Sequence, residues 1–249
     1  MNARLYPVAF ATVARVARLA SQLPPLDALF LESVTYSLLQ SGDEHTRWLN
    51  DNREKVWRAG RESSVVVFRR DDDTLHVSLA DPERHNAFSR VMRDELREAL
   101  TLAVLDETIT RVVLDGQGSN FSSGGDLAEF GTSNSPLVSH LVRTTDSVAQ
   151  LLLTIGDRIG GALECRVHGH NVGAGAELAA FAPRVVVARG TTFRLPEVSM
   201  GLVPGAGGTV SVTRRIGRHR AALMMLSGCT VDAETALDWG LVDEIGDRT

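Results

Sequence analysis

From Ser64 onward, β-branched runs alternate with helically periodic stretches, and this alternation constrains the fold more than any other feature of the chain. Ser64 to Arg69 is β-branched, Asp71-Asp72-Asp73 is a turn, and Thr74 to Leu79 alternates apolar with polar residues, which together read as a hairpin. Phe88, Val91, Met92, Leu96, Ala99, Leu100 and Ala103 then hold helical spacing up to a short strand at Arg111 to Leu114. Leu137 to Ile155 reads as one helix, Glu164 to Val167 as a strand, Gly173 to Phe181 as a glycine-rich approach to a helix, and Arg184 to Ala188 as a strand. A glycine-rich turn follows at Gly205 to Gly208, with helical patterns around Arg220 to Leu226 and Ala233 to Trp239. Strands alternating with helices predict an α/β core.

The segment before Ser64 has a different period. Phe10, Val13, Val16, Ala17 and Ala20 recur as one face of a helix would. Pro24 and Pro25 break that pattern, Leu26 to Leu39 resumes it, and Ser41-Gly42 ends it. A third amphipathic piece spans Trp48 to Trp57, whose large aromatics need cover. Residues 1–62 are therefore expected to be a helical N-terminal extension, and residues 63–249 the core. With 249 residues and 43% hydrophobic content, the chain can build one sizeable core with such an appendage.

A net charge of −5 without runs of like charge argues against nucleic-acid and membrane-surface partners and leaves small molecules and other subunits. Cys165 and Cys229 lie far apart without CxxC spacing, so neither a disulfide framework nor a zinc site is expected. The His168-Gly169-His170 spacing is poor for a metal without carboxylate or thiol company. No apolar stretch approaches the roughly 20 residues of a membrane helix. Arg4, Arg15 and Arg18 precede the first acidic residue, Asp27, as in a transit peptide, but the segment lacks serine richness and continues into helical pattern. A cytoplasmic location is the expectation.

Two loops read alike: a strand, then small residues, then a helix. They are Phe121-Ser122-Ser123-Gly124-Gly125-Asp126 and Gly173-Ala174-Gly175-Ala176-Glu177. Helix N-termini leave N–H groups unsatisfied and carry partial positive charge, so each loop could aim a donor at a developing oxyanion. Glu177 sits just inside the second helix and is followed by Leu178, Ala179, Ala180 and Phe181, a setting that would partly desolvate it. Glu197 follows Pro196 in a stiffened apolar loop. Either carboxylate alone could be structural, one as a first-turn acid and the other as a partner of Arg194. His168 or His170 with Ser122 or Ser123 would suit a hydrolase, yet no nucleophile-elbow pattern is present.

From Ser64 to Ile245 the sequence resembles the crotonase (enoyl-CoA hydratase/isomerase) family in the order and spacing of its motifs. These are Asp81-Pro82 through Arg84-His85-Asn86-Ala87, Gly118 with Phe121 to Leu127, and Val167-His168-Gly169 into Gly173 to Leu178. Leu195-Pro196-Glu197 through Gly201 to Thr209, and Ala236 to Val242, complete the set. The resemblance implies an α/β, crotonase-like repeated β-β-α spiral core behind the N-terminal helical extension, and subunits assembled as homotrimers or homohexamers. It implies an acyl-CoA thioester substrate, no metal, and no cofactor beyond the coenzyme A that is part of the substrate. The oxyanion donors would be the backbone N–H groups of Ser123 and Ala174, and CoA would be held along Arg84, His85, Ala87, Gly124, Asp126 and Leu127.

Family hydratases use two glutamates, matched here by Glu177 and Glu197, to place water on the β-carbon and a proton on the α-carbon. Relatives that only move a double bond often keep one, so retention of both favours hydration. The alternatives are an acyl-CoA double-bond isomerase, a cofactor-free acyl-CoA enzyme of aromatic or natural-product metabolism, and a non-catalytic acyl-CoA-binding subunit. Family members also continue past the Gly-Leu-Val motif into C-terminal helices that close the site, whereas this sequence stops at Thr249 and carries helices in front. Those N-terminal helices are expected to replace the cover, or the chain is a truncated or specialised variant.

Overall fold

The computed structural model describes residues 1–52, 64–133 and 135–246. The stretch expected to run to Trp57, and the expected boundary between residues 62 and 63, lie outside these. The N-terminal segment forms α1 (Asn2–Leu5), α2 (Pro7–Ala20), α3 (Pro25–Gln40) and α4 (Asp43–Asp51). Pro7 and Pro25 each open a helix, where a missing N–H costs nothing and the fixed φ already suits the first turn.

The hairpin forms as β1 (Val66–Asp71) and β2 (Thr74–Leu79), antiparallel with Val66 opposite Leu79, and Asp72 takes a left-handed φ of 50° in the turn. Next come α5 (Arg90–Leu105), β3 (Arg111–Gly116), α6 (Pro136–Thr145) and α7 (Val148–Ile159). The single helix expected over Leu137 to Ile155 is thus two. The Ser147 side chain accepts the Gln150 N–H and so caps a new helix, while Asp146 leaves helical geometry.

Two units then repeat one plan. In the first, β4 (Leu163–Val167) joins the main sheet, β5 (His170–Val172) turns into a second sheet, and α8 (Ala174–Ala179) follows. In the second, β6 (Arg184–Ala188), β7 (Thr192–Arg194) and α9 (Gly208–Ser227) repeat the order. The chain closes with β8 (Val231–Asp232), α10 (Ala233–Trp239) and β9 (Glu244–Gly246). The main sheet runs β1-β2-β3-β4-β6-β9, parallel from β2 onward, and the small sheet runs β5-β7-β8. This is the repeated β-β-α arrangement that the family resemblance implied.

The N-terminal helices are no loose appendage. Ala9, Val13, Val16, Ala17 and Ala20 of α2 share one apolar cluster with Val212, Ile216 and Met224 of α9, a helix whose two halves meet at Gly217 (φ 76°). Burying this face supplies about 25 cal/mol per Å² of apolar surface. The Glu44 carboxylate of α4 accepts the Val8 and Ala9 N–H groups at 2.8 and 2.9 Å, satisfying the first turn of α2. With α2 fixed on α9, α3 lies against α6 and α9 and covers the central cavity. Among the described residues, no helix is long and apolar enough to cross a membrane.

Candidate active site

The two small-residue loops pack on each other too closely for side chains. A Cβ on Gly124 (φ +91°) would strike the Val172 carbonyl oxygen, and one on Gly175 would strike that of Ser122. The second loop runs from β5 straight into α8, as expected. The first does not reach a helix. It ends in a single 3-10 turn, Leu127–Glu129, because the Asp126 side chain caps only the Ala128 N–H and the next helix begins at Pro136.

This difference relocates one expected donor. The Ser123 N–H donates to the His85 carbonyl at 2.9 Å, and Ser123 lies outside the cavity wall. Phe88 instead pairs with the chain on either side of Gly125, taking the Gly124 carbonyl and the Asp126 N–H. The Gly125 N–H is skipped by that pairing and Gly125 lines the cavity. Ala174, the first residue of α8, lines it too. Among the described residues neither N–H has a hydrogen-bond partner, so the free pair is Gly125 and Ala174, not Ser123 and Ala174.

The cavity has a volume of about 610 Å³. Glu177 and Glu197 enter it from different elements, and their Oε1 atoms lie 4.0 and 2.5 Å from where a side chain on Gly173 would begin. The Glu177 Oε2 accepts the Ala206 and Gly208 N–H groups, both at 2.8 Å. Glu197 stands at a 3-10 turn, and its Oε2 is buried without a partner among the described residues. Burial pushes the Glu177 carboxyl up to about 7 against the pull of the Gly208, Ala206 and Gly205 N–H groups. Glu197 is raised well above the usual carboxylate range by burial first and by the Glu177 charge second.

Arg84 and Asp126 form an ion pair at 2.6 Å and line a smaller cavity of about 130 Å³, which shares Ser89, Arg90, Asp126, Glu129 and Thr132 with the larger one. His85, Ala87, Gly124 and Leu127 line neither cavity. The His85 ring is engaged by Asn120 and Ser119. The hydrolase alternative loses its geometry: the Ser122 hydroxyl donates to the Asn86 carbonyl at 2.7 Å, the Ser123 hydroxyl points to that of Arg84, and His168 meets the Gly118 carbonyl.

Several lining groups were not anticipated. Glu32 and Tyr36 of α3, His45 of α4 and Arg143 of α6 all face the cavity. Glu32 and Tyr36 are one helical turn apart, which was the available signal: two polar groups on one face of a helix that must cover something. Arg143 lies 4.3 Å over the Tyr36 ring.

Comparison with known proteins gives a consistent result. The family model for enoyl-CoA hydratase/isomerase matches residues 70–248. The 2,3-dehydroadipyl-CoA hydratase of Escherichia coli (strain K12) is 31% identical over 182 residues, 73% of this chain and 69% of that protein. The 1,2-epoxyphenylacetyl-CoA isomerase of the same organism is 32% identical over 173 residues, 70% of this chain and 66% of that protein. The matched stretch thus spans about two thirds of these relatives' own length. Among solved structures, an enoyl-CoA hydratase of Mycobacterium smegmatis superposes with a TM-score of 0.65 at 30% identity, covering 74% of this chain and 71% of that one.

Proposed function

The chain belongs to the enoyl-CoA hydratase/isomerase family, and from that premise we propose that it adds water across the 2,3 double bond of an enoyl-CoA thioester. One observation carries this reading: two buried glutamates from different elements share a cavity wall with two unpartnered backbone N–H groups. The thioester carbonyl oxygen sits between the Gly125 and Ala174 N–H groups, where negative charge develops as the enolate-like transition state forms. Removing one such donor typically costs about 10²–10³ in rate.

Glu197, held protonated by its surroundings, gives its proton to the α-carbon. Glu177, favoured as an anion by the N–H groups on its Oε2, takes a proton from the water whose oxygen bonds the β-carbon. The sum is one water added, with the negative charge passed from Glu177 to Glu197 and then reset by proton exchange. Two carboxyls whose surroundings hold their proton affinities apart suit such a division of labour. Arg84 and Arg90 at the smaller cavity support placing the CoA phosphates there. The exposed apolar row of Leu26, Phe30, Val34 and Leu38 on α3 supports assembly into trimers or dimers of trimers.

Glu177→Gln and Glu197→Gln, assayed separately by loss of enoyl-CoA absorbance, are each expected to lower kcat by about 10²–10⁴. Full activity in either variant overturns the two-glutamate mechanism. Double-bond isomerisation is the second reading, favoured by the equal likeness to a hydratase and an isomerase. Product mass separates them, since hydration adds a water and isomerisation adds nothing.

A further inference from the structure

The cavity holds a third buried carboxylate with no part in the chemistry above. Glu32 of α3 is 2% exposed. Its Oε1 accepts the Gly207 N–H at 2.7 Å, and its Oε2 accepts the Thr209 N–H at 2.9 Å and the Thr209 hydroxyl at 2.6 Å. Glu177 holds Ala206 and Gly208. Four successive N–H groups at the start of α9 are therefore divided alternately between two carboxylates, one from the core and one from the N-terminal helices.

A helix start needs acceptors for its first N–H groups, and a nearby serine or aspartate ordinarily supplies one. Here part of that task falls to a glutamate 175 residues away in sequence, set beside a second buried carboxylate. Neither has an ion pair with a basic side chain among the described residues. Because both grip the same turn, displacing one displaces the seat of the other.

We propose that Glu32 is a positioning residue of the active site: it fixes the Ala206–Thr209 turn on which Glu177 is seated, and its charge acts on Glu197. The proposal rests on the reading of those two glutamates as the acid–base pair. The charged and titratable groups facing Glu32 are Glu177 and Glu197 from the core, Tyr36 on its own helix and Arg143 on α6. His140 of α6 bonds the neighbouring Ser33, and His45 of α4 lines the same cavity. The buried face that α2 turns inward carries only alanine and valine. Burial, and then the Glu177 charge, push Glu32 up to about 8. Replacing it with a neutral group removes the like charge that Glu32 presents to Glu197, which then ionises more readily.

The test is Glu32→Gln in the full chain, with two readouts. The first is the pH dependence of kcat/KM for enoyl-CoA hydration. The second needs no turnover: ¹³C NMR titration of carboxyl-labelled glutamate, with signals assigned through Glu177→Gln and Glu197→Gln. The expected result is that Glu197 titrates lower by about half a pH unit or more, and that the Glu177 signal moves as its seat on the Ala206–Thr209 turn shifts. kcat should fall about tenfold with little change in KM, as displacement of a positioned group predicts. A loss of thermal stability with unmoved titrations overturns the proposal and leaves Glu32 as a helix cap. Absence of hydration by the wild-type chain overturns the functional reading instead, while the NMR titration still decides the role of Glu32. If Glu32→Gln does not fold, Thr209→Val removes one donor while keeping the side-chain shape. The Glu32 signal should then move to higher pH and that of Glu197 to lower pH, and unmoved signals again overturn the proposal.

Discussion

As the proposed base, Glu177 depends on the two backbone N–H groups that hold its Oε2 in place. On the proposed mechanism its carboxyl, pushed to about 7, loses its proton to act as base, whereas Glu197, raised well above the ordinary 4.5, keeps its own to act as acid. kcat/KM should therefore rise with pH through about 7 and fall again at higher pH, the two limbs belonging to the coupled pair. A flat profile between pH ~5 and ~9 in initial-rate assays would exclude a carboxylate base with that setting. The seat is equally specific. A Cβ on Gly208 would begin 2.6 Å from the Glu177 Cγ and 2.9 Å from its Oε2, so Gly208→Ala has to move the carboxylate. Since displacement of about 1 Å can cost about 10²-fold, kcat should drop by one to two orders of magnitude. KM for the thioester should hold, because the Gly125 and Ala174 donors are untouched.

Elements were legible in the sequence wherever a period ran long enough, and the failures have physical causes. α5 and the β1–β2 hairpin stand where periodicity put them, and the glycine-rich approach to α8 delivers Glu177 to the cavity. The α6–α7 break was hidden because apolar spacing continues across Asp146-Ser147, while the interruption is local capping chemistry. Ser147→Ala should lower stability by about 1 kcal/mol, read as a lower midpoint in thermal or urea denaturation. The short strands β5, β7 and β8 span only two or three residues, too few for any period to show. The choice between Ser123 and Gly125 was likewise invisible. Four small residues in a row do not say which N–H is left over, and pairing with Phe88 decides it. Glu32 was missed for a related reason, since its partners lie 175 and 177 residues away.

Across the whole molecule, one cavity ties the N-terminal helices, the core and α9 together, and it does so with carboxyls that would rather be neutral. In the unfolded chain Glu32 and Glu177 titrate near the ordinary 4.5, and in the folded chain near about 8 and about 7. Between those values the native state binds more protons than the unfolded one, so their contribution to stability is complete below 4.5 and is lost as pH rises through 7 to 8. The burial that sets the proposed base near neutrality thus weakens the fold over the same range. Replacing Glu32 and Glu177 together by glutamine removes both proton-linked terms, whatever the new amides cost in hydrogen bonds at every pH. The melting temperature of the double variant should therefore change less between pH ~5 and ~9 than that of the wild type. Calorimetric melts across that interval test it directly. Parallel curves would mean that these carboxyls titrate alike in the folded and unfolded chains, and that burial beneath α3 does not perturb them.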